Sequence, residues 1–168
     1  MIKPAPLVRD ATEKDIEALT NIKETSALHR DRLRDARLFK FRYLVLELNA
    51  NLIGFACLVF TRPDSWSDAR DTTHLPQIVD LQIAPKLRGK GYGSFLISEL
   101  EQIVVQQGYK EVFLAVDPIT NLRAYSLYQR LGYQQLQKEP YLKHWEFRDS
   151  DGILHRGDDL IVDMVKYF

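Results

Sequence analysis

Between Val79 and Ser94 the chain reads Val-Asp-Leu-Gln-Ile-Ala-Pro-Lys-Leu-Arg-Gly-Lys-Gly-Tyr-Gly-Ser. An apolar run stops at a proline, three alternate glycines follow, and an amphipathic pattern opens directly behind them. Glycines let backbone N–H groups converge on a ligand, and a helix start presents free N–H groups with the positive end of its dipole. The stretch suits an anion, and a pyrophosphate above all. It is not a Walker loop, because Ala84 stands where the first glycine belongs and Gly91, rather than a hydroxyl residue, follows Lys90. Nor is it a dinucleotide fingerprint, since the last glycine place holds Ser94 in one register and Leu96 in the other.

A third pattern, Arg/Gln-x-x-Gly-x-Gly/Ala, is filled by Arg88, Gly91 and Gly93. Downstream, Asn121-Leu-Arg-Ala124-Tyr-Ser-Leu127-Tyr128-Gln-Arg-Leu-Gly132-Tyr133 fills every fixed place of Asn-x-x-Ala-x-x-Leu-Tyr-x-x-x-Gly-Phe/Tyr. The two motifs, in this order, resemble the signatures of the GCN5-related N-acetyltransferase (GNAT) family. The resemblance spans Gln77 to Tyr133. It implies direct transfer of an acetyl group from acetyl-coenzyme A to an amine in a ternary complex, with the coenzyme A as co-substrate.

Carried onto this sequence, the resemblance assigns the pyrophosphate to the amides of Gly89, Lys90, Gly91, Tyr92, Gly93 and Ser94. Arg88 aids the loop and Lys90 adds charge. Leu81, Gln82 and Ile83 would pair with the pantetheine arm like a short extra strand, and an N–H among them would face the developing oxyanion. Tyr128 takes the general-acid place: a phenol of pKa roughly 10 stays protonated at neutral pH yet matches a thiol's roughly 8.5 closely enough to stabilise the departing sulfur. Asn121 would orient the cofactor arm. Asp80, on the strand that feeds the loop, is the preferred base for the incoming ammonium; Glu24, His29, Asp68 and His74 are weaker candidates. Each has a plainer reading: Tyr128 as a packed aromatic, Asn121 as a helix N-cap, Asp80 as an outward-facing charge, Lys90 as a solvated one.

The elements that must position these groups follow from periodicity. Leu7 and Val8 suggest a short strand; Thr12 with Asp15 suggests a capped helix carrying Ile16, Leu19 and Ile22 inward. Residues Ser26 to Arg42 are locally basic and read first as a solvated helix face, with the wall of an acceptor site as the sharper reading. Phe41 to Leu48 and Leu52 to Phe60 form a hairpin turning at Asn49-Ala50-Asn51, with Gly54 and Cys57 as packing choices. Thr61 to Gln77 has loop composition. Gln77 to Ala84 and Glu111 to Val116 should be parallel neighbours around a crossover helix that ends before Gly108. Asn121 to Leu131 is a helix, and Tyr133 to Leu136, Tyr141 to Phe147 and Leu160 to Phe168 are closing strands.

The expected fold is α/β (α+β): one GNAT-like domain over residues 1–168, a mixed, mostly antiparallel sheet with helices on both faces and a splayed central parallel pair. Lys plus Arg equals Asp plus Glu at 23 each, so no global field favours nucleic acid or an anionic membrane. A single cysteine precludes an internal disulfide and suits the cytoplasm. No metal-ligand spacing or nucleophile elbow occurs, so neither a metal nor an acyl-enzyme is expected. The expected acceptor is a small-molecule or amino-acid-like primary amine, with a protein N-terminus or lysine as the alternative. A non-catalytic coenzyme-A sensor is the rival from another class, and the aromatic tail is compatible with a homodimer.

Overall fold

The computed structural model describes residues 5–61 and 74–168. Most of the loop expected between Thr61 and Gln77, Asp68 included, lies outside them. β1 (Leu7–Asp10) runs antiparallel to β2 (Phe41–Leu48), and β2 pairs with β3 (Asn51–Val59). Asn49 and Ala50, at φ 51° and 59°, make the tight reversal between them. β4 (Gln77–Ile83) lies against β3, and β5 (Glu111–Val116) lies parallel to β4. The sheet is completed by β6 (Gln134–Gln135), β7 (Tyr141–Arg148) and β8 (Leu154–Tyr167), in the order β1-β2-β3-β4-β5-β8-β6, with β7 on the outer half of β8.

Helices cover both faces. Thr12 opens the first by donating its N–H and its hydroxyl to Asp15 Oδ2, at 2.8 and 3.0 Å. After this turn come α1 (Ile16–Ile22) and α2 (Ser26–Leu38), which pack Leu19 and Leu33 onto Tyr43, Phe55 and Cys57. On the opposite face α3 (Tyr92–Gln106) and α4 (Leu122–Arg130) bury Leu96, Leu100 and Tyr128 against Ile78, Leu114 and Met164. Gly108 and Gly132, at φ 85° and 93°, end the chain's departure from these helices, a conformation that costs other residues free energy.

Most strand ends fall within a residue of the sequence expectation, and three elements show how packing moves them. α4 is a residue shorter at each end. β6 is only two residues, because Tyr133 turns into the core instead of extending the strand. β8 begins at Leu154 rather than Leu160; its polar first half carries no apolar run, yet it is held by a continuous ladder with β7 from Leu154↔Arg148 to Ile161↔Tyr141. The basic stretch is not uniformly a solvated face either. His29 and Arg32 are buried on α2, while Arg30, Arg34, Arg37 and Arg42 make ion pairs at the surface.

Candidate active site

β4 and β5 part almost at once. Their parallel pairing is a single register pair, Gln77↔Phe113, beyond which the strands diverge. β4 is irregular on its other edge as well. Phe55 faces Gln82 and Cys57 faces Val79, so β4 spends three steps where β3 spends two. This is a β-bulge, and it accentuates local twist. Asp80 sits within it at φ 54°, a left-handed conformation that only a few non-glycine residues tolerate, aspartate among them. Leu81, Gln82 and Ile83 therefore run along an opened seam.

The glycine loop follows at the end of that seam. Arg88 Nε donates to the Ile83 carbonyl at 2.9 Å, so its side chain ties the loop to the strand end. Gly89 and Gly91 have φ of 77° and 88°, and Gly91 is the N-cap of α3. The first intrahelical bond is Phe95 N–H to Gly91 O at 3.0 Å. Among the described residues the amides of Gly89 to Ser94 make no hydrogen bond, and they gather where the helix dipole is positive. A backbone cradle of unmet donors fits a pyrophosphate.

A second cation stands over this loop. A Cβ on Gly89 would lie 2.5 Å from Arg123 Nη2. The sequence reading quoted Arg123 within the second motif without giving it a role; its only signal there was its position two places after Asn121. Lys90, by contrast, is exposed and makes no ion pair among the described residues.

α4 starts across the seam. Asp117 orders its approach, accepting from the Ile119 and Thr120 amides at 2.8 Å each and from the Thr120 hydroxyl at 2.7 Å. These bonds hold its carboxyl below the usual range. Asn121 occupies the N-cap position, but its side chain makes no capping bond. Further along, Tyr128 and Tyr133 lie with ring centres 5.8 Å apart. Tyr133 donates to Glu101 Oε1 at 2.9 Å. The Tyr128 hydroxyl has no hydrogen-bond partner among the described residues, and burial pushes its pKa up to about 12. A buried phenol with an uncommitted proton can donate to a ligand.

The model of the acetyltransferase (GNAT) family matches residues 9–133 of this chain. The chain belongs to that family. An uncharacterized N-acetyltransferase of Chlorobaculum tepidum is 25% identical over 124 residues, which cover 74% of this chain and 69% of that protein. Among solved structures, the ribosomal-protein-alanine N-acetyltransferase of Brucella melitensis superposes with a TM-score of 0.70 at 21% identity, over 96% of this chain and 99% of that one. An acetyltransferase of Salmonella typhimurium, solved with acetyl-CoA, gives 0.67 at 19% identity, over 97% and 94%. The fold is thus the GNAT fold, and the protein is an acyltransferase by family.

Three of the remaining candidate residues of this GNAT chain, Glu24, His29 and Asp80, meet on the α1–α2 side. Arg32 Nη2 contacts Asp80 Oδ2 at 3.1 Å and forms an ion pair with Glu24 Oε2 at 2.5 Å. Glu24 and Asp80, two base candidates distant in sequence, are thereby brought together. His29 is withdrawn from solvent: its Nε2 donates to the Lys23 carbonyl at 2.8 Å, which leaves Nδ1 to accept from the Tyr43 hydroxyl at 2.7 Å. Burial lowers its pKa, so it is a neutral core histidine. His74 stacks on Phe113 with centres 5.0 Å apart. The tip of the β7–β8 hairpin reaches α2, where Arg30 pairs with Asp151 at 3.0 Å and Ser150 N–H donates to Asp31 at 3.1 Å. No helix among the described residues is long and apolar enough to cross a membrane.

Proposed function

We propose that the whole chain, residues 1–168, is one acetyltransferase domain that moves acetyl from acetyl-CoA to the primary amine of a small or amino-acid-like molecule. The observation that carries the reading is a Tyr128 hydroxyl with no hydrogen-bond partner among the described residues, on the helix that follows β5, together with an opened β4–β5 seam that leads to a cradle of amides unmet among the described residues. Gly89 to Ser94, with Arg88 fixing the loop and Arg123 and Lys90 adding charge, would hold the pyrophosphate. Leu81 to Ile83 and Asn121 would orient the pantetheine arm, and an amide of that strand would donate to the developing oxyanion.

In the chemical step the amine nitrogen attacks the thioester carbonyl, the carbon–sulfur bond breaks, the thiolate takes the Tyr128 proton, and the second proton shed by the new amide nitrogen returns through solvent to the Tyr128 phenolate. The amine must first be neutral. Asp80, held on the bulge, is assigned the ammonium's proton, directly or through water. The reaction needs no covalent acyl-enzyme, since the two substrates meet in one complex.

A small acceptor is supported by the hairpin tip, which docks on α2, the helix whose Arg32 reaches Asp80 on the bulge. A peptide N-terminus is the second reading, favoured by the likeness to the Brucella ribosomal-protein-alanine enzyme. Radiolabelled acetyl-CoA supplied with a panel of amines and a panel of peptides tests both. Label in small amines is expected; label in peptides alone overturns the first choice, and no transfer to either with coenzyme A still bound would favour a sensor.

A further inference from the structure

Arg32 is a cation where the fold gives little reason for one. It lies on α2 at 7% exposure, its guanidinium 5.8 Å from the Tyr43 ring centre and 5.5 Å from that of Phe55. Burying a charge this way is costly unless other groups answer it. Glu24 and Asp80 do so from two different places, the turn between α1 and α2 and the middle of β4, while Nη1 approaches His29 Nδ1 at 3.4 Å. Only the Asp80 contact crosses from the helix layer to the strand that carries the bulge.

Asp80 is also the residue whose backbone the bulge strains. A side chain at a left-handed position can be held there only if something outside the strand favours that geometry. Its Oδ2 is anchored by Arg32 Nη2, and the guanidinium itself lies over two rings that restrict its movement.

Beyond Asp80 the register of β4 against β3 is shifted by one residue, while no residue of β4 after Gln77 pairs with β5. Releasing the bulge would let β4 return to the simple register against β3, turning Leu81 to Ile83 by one pleat. The backbone groups they now present along the seam would then point the other way.

We propose that Arg32 is a positioning residue for the cofactor seam: by holding Asp80 from α2, it fixes the left-handed bulge that sets the register of Leu81 to Ile83 along the seam. It touches neither substrate. The inference rests on the reading of this seam as the acetyl-CoA site, and it links the helix bordering the acceptor side to the strand bordering the cofactor.

The test is calorimetric binding of coenzyme A, with thermal unfolding in parallel, on the full chain. Asp80→Gly removes the carboxylate but adopts φ 54° freely, whereas Asp80→Ala does not. Glycine should keep coenzyme A affinity within about threefold of wild type and alanine should lose about tenfold, the scale expected for one strained residue. Arg32→Lys, which keeps charge but not the planar fork, should also lose about tenfold, and adding Asp80→Gly should restore it. Equal affinity of the glycine and alanine variants overturns the proposal, as does wild-type affinity in Arg32→Lys with only a lowered melting temperature. Should Arg32→Lys fail to fold, the glycine–alanine pair decides alone. Failure of the wild type to bind coenzyme A would instead refute the reading of the seam.

Discussion

Arg123 reaches from the first turn of α4 to the glycine loop so closely that a Cβ on Gly89 would stand 2.5 Å from its Nη2. The two motifs that are 28 residues or more apart in sequence thus meet at one point above the cradle of amides. Gly89 is glycine chiefly for its φ of 77°, which disfavours a side chain; the guanidinium is the far end of a flexible arginine and can give way. Arg123→Gln should weaken coenzyme A binding by about 1 kcal/mol and flatten its salt dependence, the mark of a lost phosphate contact. Gly89→Ala should cost a similar amount, about 1 kcal/mol, and the double variant should lose less than the sum of both. Isothermal titration at two salt concentrations measures each term.

Tyr128 and Tyr133 are adjacent buried phenols with different commitments. Tyr133 is bonded to Glu101, which also receives Lys166 Nζ at 2.7 Å. Tyr128 has only burial acting on it, which pushes its pKa up to about 12. The phenol is therefore protonated across the neutral range, the form its proposed role as acid requires, and loses its proton only as pH rises toward that value. Tyr128→Phe should lower kcat roughly 10²-fold while leaving the coenzyme A dissociation constant unchanged. Wild-type kcat should show no fall attributable to this phenol up to pH 10, about two units below its pKa. Stopped-flow or steady-state rates over pH, with binding measured separately, check both.

Gly54 lies under the bulged strand. A Cβ there would stand 2.7 Å from the Gln82 carbonyl oxygen and 2.7 Å from Ile83 Cδ1. The isoleucine can rotate, but the carbonyl belongs to the backbone that lines the seam. Gly54→Ala should destabilise the fold by about 1–3 kcal/mol, the usual cost of overpacking. Because the displaced backbone is Gln82, coenzyme A affinity should fall as well. Thermal melts with and without coenzyme A separate the two effects.

The cofactor half of the site was legible in the sequence because it is local. Glycine spacing, a strand end and a helix start lie within sixteen residues, and backbone amides need no distant partner. The acceptor half depends on long-range meetings that no spacing encodes. Nothing between Glu24 and Asp80 announces that both bind Arg32, and a basic helix looks solvated until packing shows which arginine turns inward. β8 was read short for a related reason: residues Leu154 to Asp159 have no apolar pattern of their own and are strand because β7 lies beside them. Arg123 was visible as a letter but not as a contact, since its reach to Gly89 depends on the packing of α4 beside the loop.

His29 gives the fold a pH response that belongs to its core. It is fully buried, between the Lys23 carbonyl, the Tyr43 hydroxyl and Arg32, with Glu24 nearby on the other side of that cation. Burial is the chief cause that lowers its pKa from the ordinary 6.5, and the Arg32 charge acts in the same direction. The unfolded chain therefore takes up the proton first as pH falls. Above 6.5 neither state is protonated and stability is level; below it, stability declines until pH passes the folded-state value. Asp15, whose carboxyl is held below its usual 3.8 chiefly by Arg9, contributes its own loss only in more acidic solution. Denaturant titrations at fixed pH values between 7 and 5 should show unfolding free energy falling by up to about 1.4 kcal/mol per pH unit from this one group. His29→Gln, which keeps a donor and an acceptor but no titratable nitrogen, should be less stable at pH 7 yet lose that slope; an unchanged slope would place the acid response elsewhere in the chain.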